Sequence, residues 1–417
     1  MIRKRFLKLF FVLSSLSASV YGLDDVIRQP KPTNSFTQEE IDQLKEWIKS
    51  KRQTVGIKSL GGELTYSGEV RTGMNSVSEV VNGVRQRGAG GAIPGYPSRD
   101  YSIEVGILMN YRADFTWATS KIRFKNRAGV ISGTSDKVAL DRGFMGVRLV
   151  EGESYAMVLE AGRRKFNYTF DSKIEFGSFM DGLVFKYDQS IDVVGDLYFY
   201  GGPFVIDFTG DHYGYMFELG ALNVGNTGIY LKYSFIDWDT KHYDNILKKR
   251  RFEYMNSQLT LGYKVVVPYI QKVLTIYSAA LNNSAARALP ILDDKKANWA
   301  GYLGFSLGEV RKQGDWSIDI DYQWVQAQAV PAYDFAGIGR GNAAGVGLYA
   351  VDSKDAAPTT KLTATGPCNY KGFEATFLYL FTNNLTLRQT YQMSTRLQKI
   401  GPIYRYKAYS MELVYLY

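Results

Sequence analysis

From Glu63 to the end of the chain, apolar and polar residues alternate with a period of two. In the clearest segment the apolar positions are Trp316, Ile318, Ile320, Tyr322 and Trp324, and the positions between them are polar. Alternation of this kind predicts strands that have one apolar and one polar face. The segments run about ten residues with aromatic residues near their ends, which is typical of strands that cross a bilayer in a closed barrel.

The pattern repeats in about 16 segments between residues 63 and 417, and 14 or 18 strands are also compatible with it. Short connections, such as 113–115, 150–153 and 382–384, alternate with long ones, such as 74–99, 166–181 and 328–369. Alternating connection lengths are typical of barrels with short periplasmic turns and long external loops. The chain is therefore predicted to be all-β, forming a transmembrane antiparallel β-barrel over 63–417.

A closed barrel satisfies the physical demand that a bilayer makes on a strand. Every backbone N–H and C=O in hydrocarbon must be hydrogen-bonded within the protein. A flat sheet leaves two edges with unpaired groups, whereas a closed sheet leaves none. The alternating segments are thus predicted to pair in sequence, with the last strand closing onto the first.

The first 62 residues follow a different pattern. Residues 1–22 combine a basic start, Arg3, Lys4, Arg5 and Lys8, with a short apolar stretch and small residues at Val20 and Gly22, which predicts a secretory signal peptide. Residues 23–62 are predicted to be a periplasmic segment. Within it, Ile41, Leu44, Trp47 and Ile48 recur at helical spacing, which predicts a helix at about 38–52.

The chain ends in a strand with one apolar, aromatic face. That face consists of Tyr409, Met411, Leu413, Tyr415 and Tyr417. Together with a secretory signal, a last strand that closes on an aromatic residue resembles the ending of bacterial outer-membrane barrels. The resemblance implies that this strand directs insertion by the barrel assembly machinery, and that the cell outer membrane is the location.

Composition narrows the picture further. The chain has 31 Tyr and 41 Gly but only 2 His and 1 Cys, so a disulfide framework is excluded. No run of 18 or more apolar residues is present, which argues against spanning helices. The net charge of +9 falls to +5 once the four basic residues of the signal are removed, because no acid leaves with them (9 − 4 = 5). We therefore expect at most a mild preference for anions.

Several stretches resemble a porin family of Gram-negative bacteria. They include Ser67-Gly68-Glu69-Val70-Arg71, Ala161-Gly162-Arg163-Arg164, Asp211-His212-Tyr213-Gly214-Tyr215, Tyr233-Ser234-Phe235-Ile236-Asp237-Trp238 and Lys312-Gln313-Gly314-Asp315-Trp316. The similarity extends over most of 60–417. It implies an outer-membrane channel for passive diffusion of small hydrophilic solutes or ions, surrounded by outer-membrane lipid and assembled as a homotrimer. It brings no catalytic residues and no cofactor.

The chemistry of a pore lies in the charges at its narrowest point. By strand parity, a set of basic side chains on the early strands is predicted to face the lumen as a basic wall. The set is Arg71, Arg112, Lys121, Arg123, Lys125, Arg142 and Arg164. The alternative is that these positions are polar only because a lumen is polar.

The connection at 166–181 occupies the position of the loop that folds into the lumen of general porins. It contains Asp171, Glu175 and Asp181, which we interpret as constriction-loop acids. Our hypothesis is that these acids face the basic wall and create a transverse field across the pore. The alternative is a loop that lies outside the lumen. The sequence leaves the role of loop 328–369 and its Cys368 open.

Two further functions compete with a channel. A surface barrel whose long loops bind a host or saccharide partner is the first alternative, and an outer-membrane hydrolase is the second. Gly304-Phe305-Ser306-Leu307-Gly308 matches a nucleophile motif, but it lies inside an alternating strand and both histidines precede it. No motif predicts a metal site, a catalytic residue or a nucleic-acid partner, so we expect a protein that is not an enzyme.

Overall fold

A computed structural model describes residues 54–55 and 62–417, with gaps at 94–95, 128–136, 208–211, 240–252, 287, 290–294, 332, 340–367 and 400–402. The predicted signal peptide at 1–22 and the helix at about 38–52 lie outside the described residues. Among the described residues, no helix is both long and apolar enough to cross a membrane.

Sixteen long antiparallel strands close into a barrel, as predicted. They are β1 Glu63–Val81, β2 Arg99–Arg112, β3 Thr116–Arg127, β4 Lys137–Glu151, β5 Tyr155–Lys165, β6 Phe179–Ile191, β7 Gly195–Asp207, β8 His212–Val224, β9 Ile229–Asp237, β10 Met255–Val267, β11 Lys272–Asn283, β12 Trp299–Leu307, β13 Trp316–Val325, β14 Tyr370–Leu380, β15 Leu385–Arg396 and β16 Tyr404–Leu416. Each strand pairs with its sequence neighbours.

The barrel closes where β1 pairs with β16 over thirteen residue pairs, from Glu69 opposite Leu416 to Val81 opposite Tyr404. The chain end is part of this seam, because the Gly68 N–H donates to the Tyr417 carbonyl at 2.7 Å. β1 is longer than predicted: it continues to Val81, whereas the sequence indicated a loop from residue 74. Asn75 faces the lumen, where a strand needs little apolar surface, whereas Ser76 and Ser78 alternate with it on the other face of the strand.

The alternating pattern sorts side chains to the two faces as expected. Tyr322, Leu303 and Leu259 are exposed on the outer face, whereas Asp321 and Gln258 on the same strands are buried inside. On β16, the predicted apolar face is outward, with Leu413, Tyr415 and Tyr417 exposed and Val414 and Leu416 buried. The outer surface is therefore apolar and suited to lipid contact.

The abundance of tyrosine and glycine has a local explanation on the inner face. Inward tyrosine rings lie flat over a glycine directly opposite on the next strand, and a Cβ added at that glycine would lie within 2.0–2.6 Å of the ring. The pairs are Tyr198 with Gly220, Tyr230 with Gly262 and Tyr277 with Gly304. Alanine at these glycines would push the rings into the lumen.

Candidate functional site

The connection between β5 and β6 crosses the lumen instead of projecting outward. Residues 166–178, here called the inner loop, begin with a 3₁₀ turn at Phe166–Tyr168 and then reach the inner faces of β9, β10 and β13. Asp171 Oδ2 lies 2.9 Å from Lys232 Nζ on β9, and the Ser172 hydroxyl donates to Gln258 Oε1 on β10 at 2.6 Å. The alternative of a loop outside the lumen is therefore wrong.

A second segment, residues 326–338, holds the inner loop from the side of β13. Asp334 accepts hydrogen bonds from the backbone N–H of Phe176 at 3.0 Å and of Ser178 at 3.1 Å, and from the Ser178 hydroxyl. The Gly177 N–H donates in turn to the Asp334 carbonyl at 2.9 Å. We call residues 326–338 the clamp segment, because it fixes the inner loop through backbone groups. The sequence left the role of this stretch open.

Two buried carboxyl groups meet where the inner loop and the clamp segment touch. Glu175 is 1% exposed and accepts a hydrogen bond from Asn256, and Asp334 is fully buried. Burial raises the pKa of Glu175 well above its ordinary value, and the neighbouring Asp334 raises it further. Burial also raises the pKa of Asp334, to about 7, although its hydrogen-bond donors act in the opposite direction.

Aromatic side chains fill the space between the inner loop and the wall. The Phe166 ring lies edge-on to Phe204 with centroids 5.0 Å apart, and 5.8 Å from Trp238. Phe170 and Phe176 pack together at 5.4 Å, and Tyr333 of the clamp segment packs on Trp238 at 4.9 Å. This cluster lies mainly along the inner faces of β6 to β13, which we call the filled half of the lumen, and it continues onto β14 and β16 through Tyr370, Tyr404 and Tyr406. The expectation of a uniformly polar lumen is wrong there.

Another part of the lumen is open. A cavity of about 720 Å³ follows the inner faces of β14, β15, β16 and β1 and the start of β2, which we call the open half. Four uncharged polar side chains form a row across its wall, because they are directly opposite one another on neighbouring strands. The row consists of Thr376, Thr390, Ser410 and Asn75. Glu374 and Gln392 lie on one side of it, and Arg388 and Glu412 lie on the other.

Three cations of the predicted basic wall lie beside acids of neighbouring inward positions. Lys121 Nζ and Arg71 Nη2 both lie 2.9 Å from Glu69, and Arg123 lies 3.6 Å from Glu104 and 3.5 Å from Asp141. The acids come from β1, β2 and β4, not from the inner loop. Positive and negative side chains therefore alternate along this part of the wall.

The remaining basic positions fall into two groups. Arg142 and Arg164 are buried and lie over the rings of Tyr168 and Phe144, at 4.2 Å and 4.1 Å. Arg164 also pairs with Glu160, which binds Lys186 as well. Arg112 and Lys125 are exposed, and Arg112 is the last residue of β2, beside the turn at 113–115. The wall therefore comprises buried stacked arginines, paired side chains and two exposed cations.

The three predicted constriction acids separate in the structure. Asp171 and Glu175 lie on the inner loop, where they contact β9 and β10 rather than the basic wall. The assignment of Asp181 to the loop is wrong, because β6 begins at Phe179. Asp181 points outward and binds Arg163 through two hydrogen bonds of 2.7 and 2.6 Å. The loop ends at Ser178, earlier than the sequence indicated.

Sequence reasoning missed the acids on the far wall. Asp319 and Asp321 were identified only as the polar face of a strand, and Glu374 and Asp334 were not singled out. Parity alone would have placed Asp319, Asp321 and Glu374 in the lumen, because each alternates with outward apolar residues. The position of the inner loop, which brings Lys173 to them, has no local signal in the sequence.

The described residues do not assemble the hydrolase arrangement. Ser306 lies next to the end of β12 at the short turns, whereas His212 is the first residue of β8 at the opposite rim and contacts the carbonyl of Asp239. No group of three or more His, Cys, Asp or Glu suited to a metal ion occurs in the described part of the chain.

Comparison with known proteins supports the fold. No family model matches the chain, and no curated protein matches it significantly. Among solved structures, OprB of Pseudomonas putida at high pH has 10% identity and a TM-score of 0.50, covering 86% of this chain and 94% of that one. The outer-membrane channel DcaP of Acinetobacter baumannii has 9% identity and a TM-score of 0.47, covering 86% and 99%. Salmonella typhi OmpF, in complex with daunomycin, has 11% identity and a TM-score of 0.46, covering 88% and 100%.

Proposed function

We propose that this protein is an outer-membrane porin through which small hydrophilic solutes or ions diffuse passively. The observation that carries the proposal is the open half of the lumen: a closed barrel with an apolar outer face keeps a polar cavity of about 720 Å³ free of its own side chains. A structural barrel would gain stability by filling such a space. A water-filled space inside a membrane barrel instead provides a path for solutes.

The charges of the lumen support a weak selectivity. Five cations of the basic wall are paired with, or stacked beside, wall acids and aromatic rings, so their field is largely local. The far wall and the inner loop supply acids on the other side. This arrangement supports only a weak transverse field, because the loop acids Asp171 and Glu175 contact β9 and β10 instead of the basic wall, and Asp319 and Asp321 are paired with Lys173.

Single-channel recording in planar bilayers under a salt gradient tests the proposal. We expect stepwise conductance with a mild charge preference. A folded, inserted barrel that passes no current would refute the porin function and leave the surface-binding barrel as the alternative. Lipase and protease assays of the same preparation address the hydrolase, for which we expect no activity.

Assembly remains a proposal as well. We propose that the protein forms a homotrimer in the outer membrane and that its C-terminal strand is read by the barrel assembly machinery. The outward aromatic face of β16 supports the second point, because Leu413, Tyr415 and Tyr417 are accessible from outside the barrel. Replacing Tyr417 by Ser should reduce the yield of inserted barrel, and chemical cross-linking of membranes should report the oligomer.

A further inference from the structure

Three carboxylates converge on one patch of the lumen wall. Asp319 and Asp321 lie two residues apart on the inner face of β13, and Glu374 of β14 is directly opposite Asp321. Tyr277 donates to Asp319 at 2.6 Å and Gln323 donates to Asp321 at 2.7 Å. Because neighbouring negative charges destabilise one another, a cation beside these carboxylates would stabilise their ionised form.

The cation at this patch is a lysine from a distant part of the chain. Lys173 of the inner loop places its ammonium 3.0 Å from Asp319 and 3.8 Å from Asp321, and 5.2 Å from the centre of the Tyr277 ring. Asp321 is 2% exposed, and its Oδ2, which faces the ammonium, accepts no hydrogen bond. The buried oxygen is therefore oriented toward a charge and not toward a donor of the wall.

We propose that Lys173 is a tethered counter-ion that determines selectivity: it occupies a cation site on the lumen wall and keeps mobile cations from binding there. This inference rests on the proposed diffusion function for its effect on current, but the site itself does not depend on conduction. Since Glu374 also borders the open half, the patch would face the solute path once the lysine charge is removed.

The inner loop makes a second ion pair with the wall in which the charges are reversed. Two positions before Lys173, the inner-loop residue Asp171 binds Lys232 of the wall at 2.9 Å. Removing either loop charge breaks one link between the loop and the wall. However, loss of Lys173 removes a positive charge beside two wall acids, whereas loss of Asp171 removes a negative charge beside a wall lysine. The two variants thus separate an effect of charge from an effect of loop displacement.

The first test measures reversal potentials in a potassium chloride gradient. Lys173→Met should raise the cation-to-anion permeability ratio about threefold, since one unit charge in a narrow lumen changes the local potential by the order of the thermal energy. Lys173→Arg should behave as wild type, and Asp171→Asn should shift the ratio toward anions. A shift of both loop variants in the same direction, or no shift with Lys173→Met, would overturn the proposal.

A triple variant checks that the wall acids carry the effect. Adding Asp319→Asn and Asp321→Asn to Lys173→Met should return the ratio close to the wild-type value. If the triple variant keeps the selectivity of Lys173→Met, the three-carboxylate patch is not the source. Should Lys173→Met lose the heat-modifiable mobility of a folded barrel in electrophoresis, Lys173→Gln, which keeps a hydrogen-bond donor, takes its place.

The second test needs no conduction. The described residues of the wild-type protein present no group of three or more His, Cys, Asp or Glu suited to a metal ion. Because carboxylate oxygens are the ligands that Ca²⁺ prefers, titration calorimetry of detergent-solubilised protein with Ca²⁺ should detect binding only after the lysine charge is removed, in Lys173→Met, and not in wild type or the triple variant. Binding without wild-type conductance would refute the porin function and support the site. Conductance with neither Ca²⁺ binding nor a changed permeability ratio would refute the role of Lys173.

Discussion

The two halves of the lumen are built from strands of the same kind and yet have opposite interiors. In the filled half, the inward positions carry large side chains such as Phe204, Met216 and Ile236, which are at most 3% exposed. In the open half, the corresponding positions carry Thr390, Ala408 and Ser410. The difference shows that the alternation of apolar and polar residues determines the barrel. The size of the inward side chains determines which part of the lumen stays open to water.

The filled half depends on the inner loop, so removing the loop should have the largest effect. We expect deletion of residues 169–176, with two glycines joining the ends, to raise single-channel conductance about twofold, because conductance of a water-filled pore follows its open cross-section. Recording in planar bilayers checks this, with heat-modifiable mobility as the control for folding. Unchanged conductance would mean that the filled half does not limit the current.

Charge substitutions on the basic wall should have a smaller effect than deletion of the loop. Replacing both Lys121 and Arg123 by Gln should shift the permeability ratio toward cations by about twofold to threefold, because Glu69, Glu104 and Asp141 lose part of their counter-charge. Lys264→Gln is the matched control. Lys264 is paired with Glu309 on the β10–β12 side, and its side chain is 11% exposed, against 28% for Arg123. An equal shift in the control would mean that the cations of the basic wall have no particular effect on selectivity.

The smallest expected effect concerns pH. Both Glu175 and Asp334 have a raised pKa, with Asp334 at about 7, so the docking of the inner loop is strongest at low pH and weakens as pH rises through these values. Between pH 6 and 9 we expect wild-type current to become noisier as the loop loosens. Glu175→Gln should reduce this dependence. A wild-type current with the same noise at both pH values would argue against the buried pair.

The sequence was sufficient for most of the fold because strand alternation is a local signal. The polar positions of Trp316–Trp324 were assigned to the face opposite the aromatic residues, and about 16 strands were located from the same period. The end of the inner loop was not located correctly. The residues Phe179, Met180 and Asp181 fit the pattern of a loop as well as that of the start of the alternation in a strand. The pairing of Asp181 with Arg163 on the outer face depends on register, which the period alone does not give.

The candidate site was predicted less completely. Lys121, Arg123 and Arg71 were placed on the lumen wall by parity, but their acidic partners were not recognised. Those of Lys121 and Arg123 come from other strands, whereas Glu69 lies two residues before Arg71 on the same strand. The contact of Lys173 with Asp319 joins positions 146 residues apart. Such a contact follows from the path of the inner loop across the lumen, and that path is determined by the packing of Phe166 and by Asp334 of the clamp segment.

The central claim is that solutes pass through the open half, and the conductance of one pair of variants tests it most directly. Ser410 faces the open half, and its neighbour Met411 faces outward on the same strand. We predict that Ser410→Trp lowers single-channel conductance clearly, whereas Met411→Trp leaves it at the wild-type value. Full conductance in a folded Ser410→Trp barrel would contradict the account.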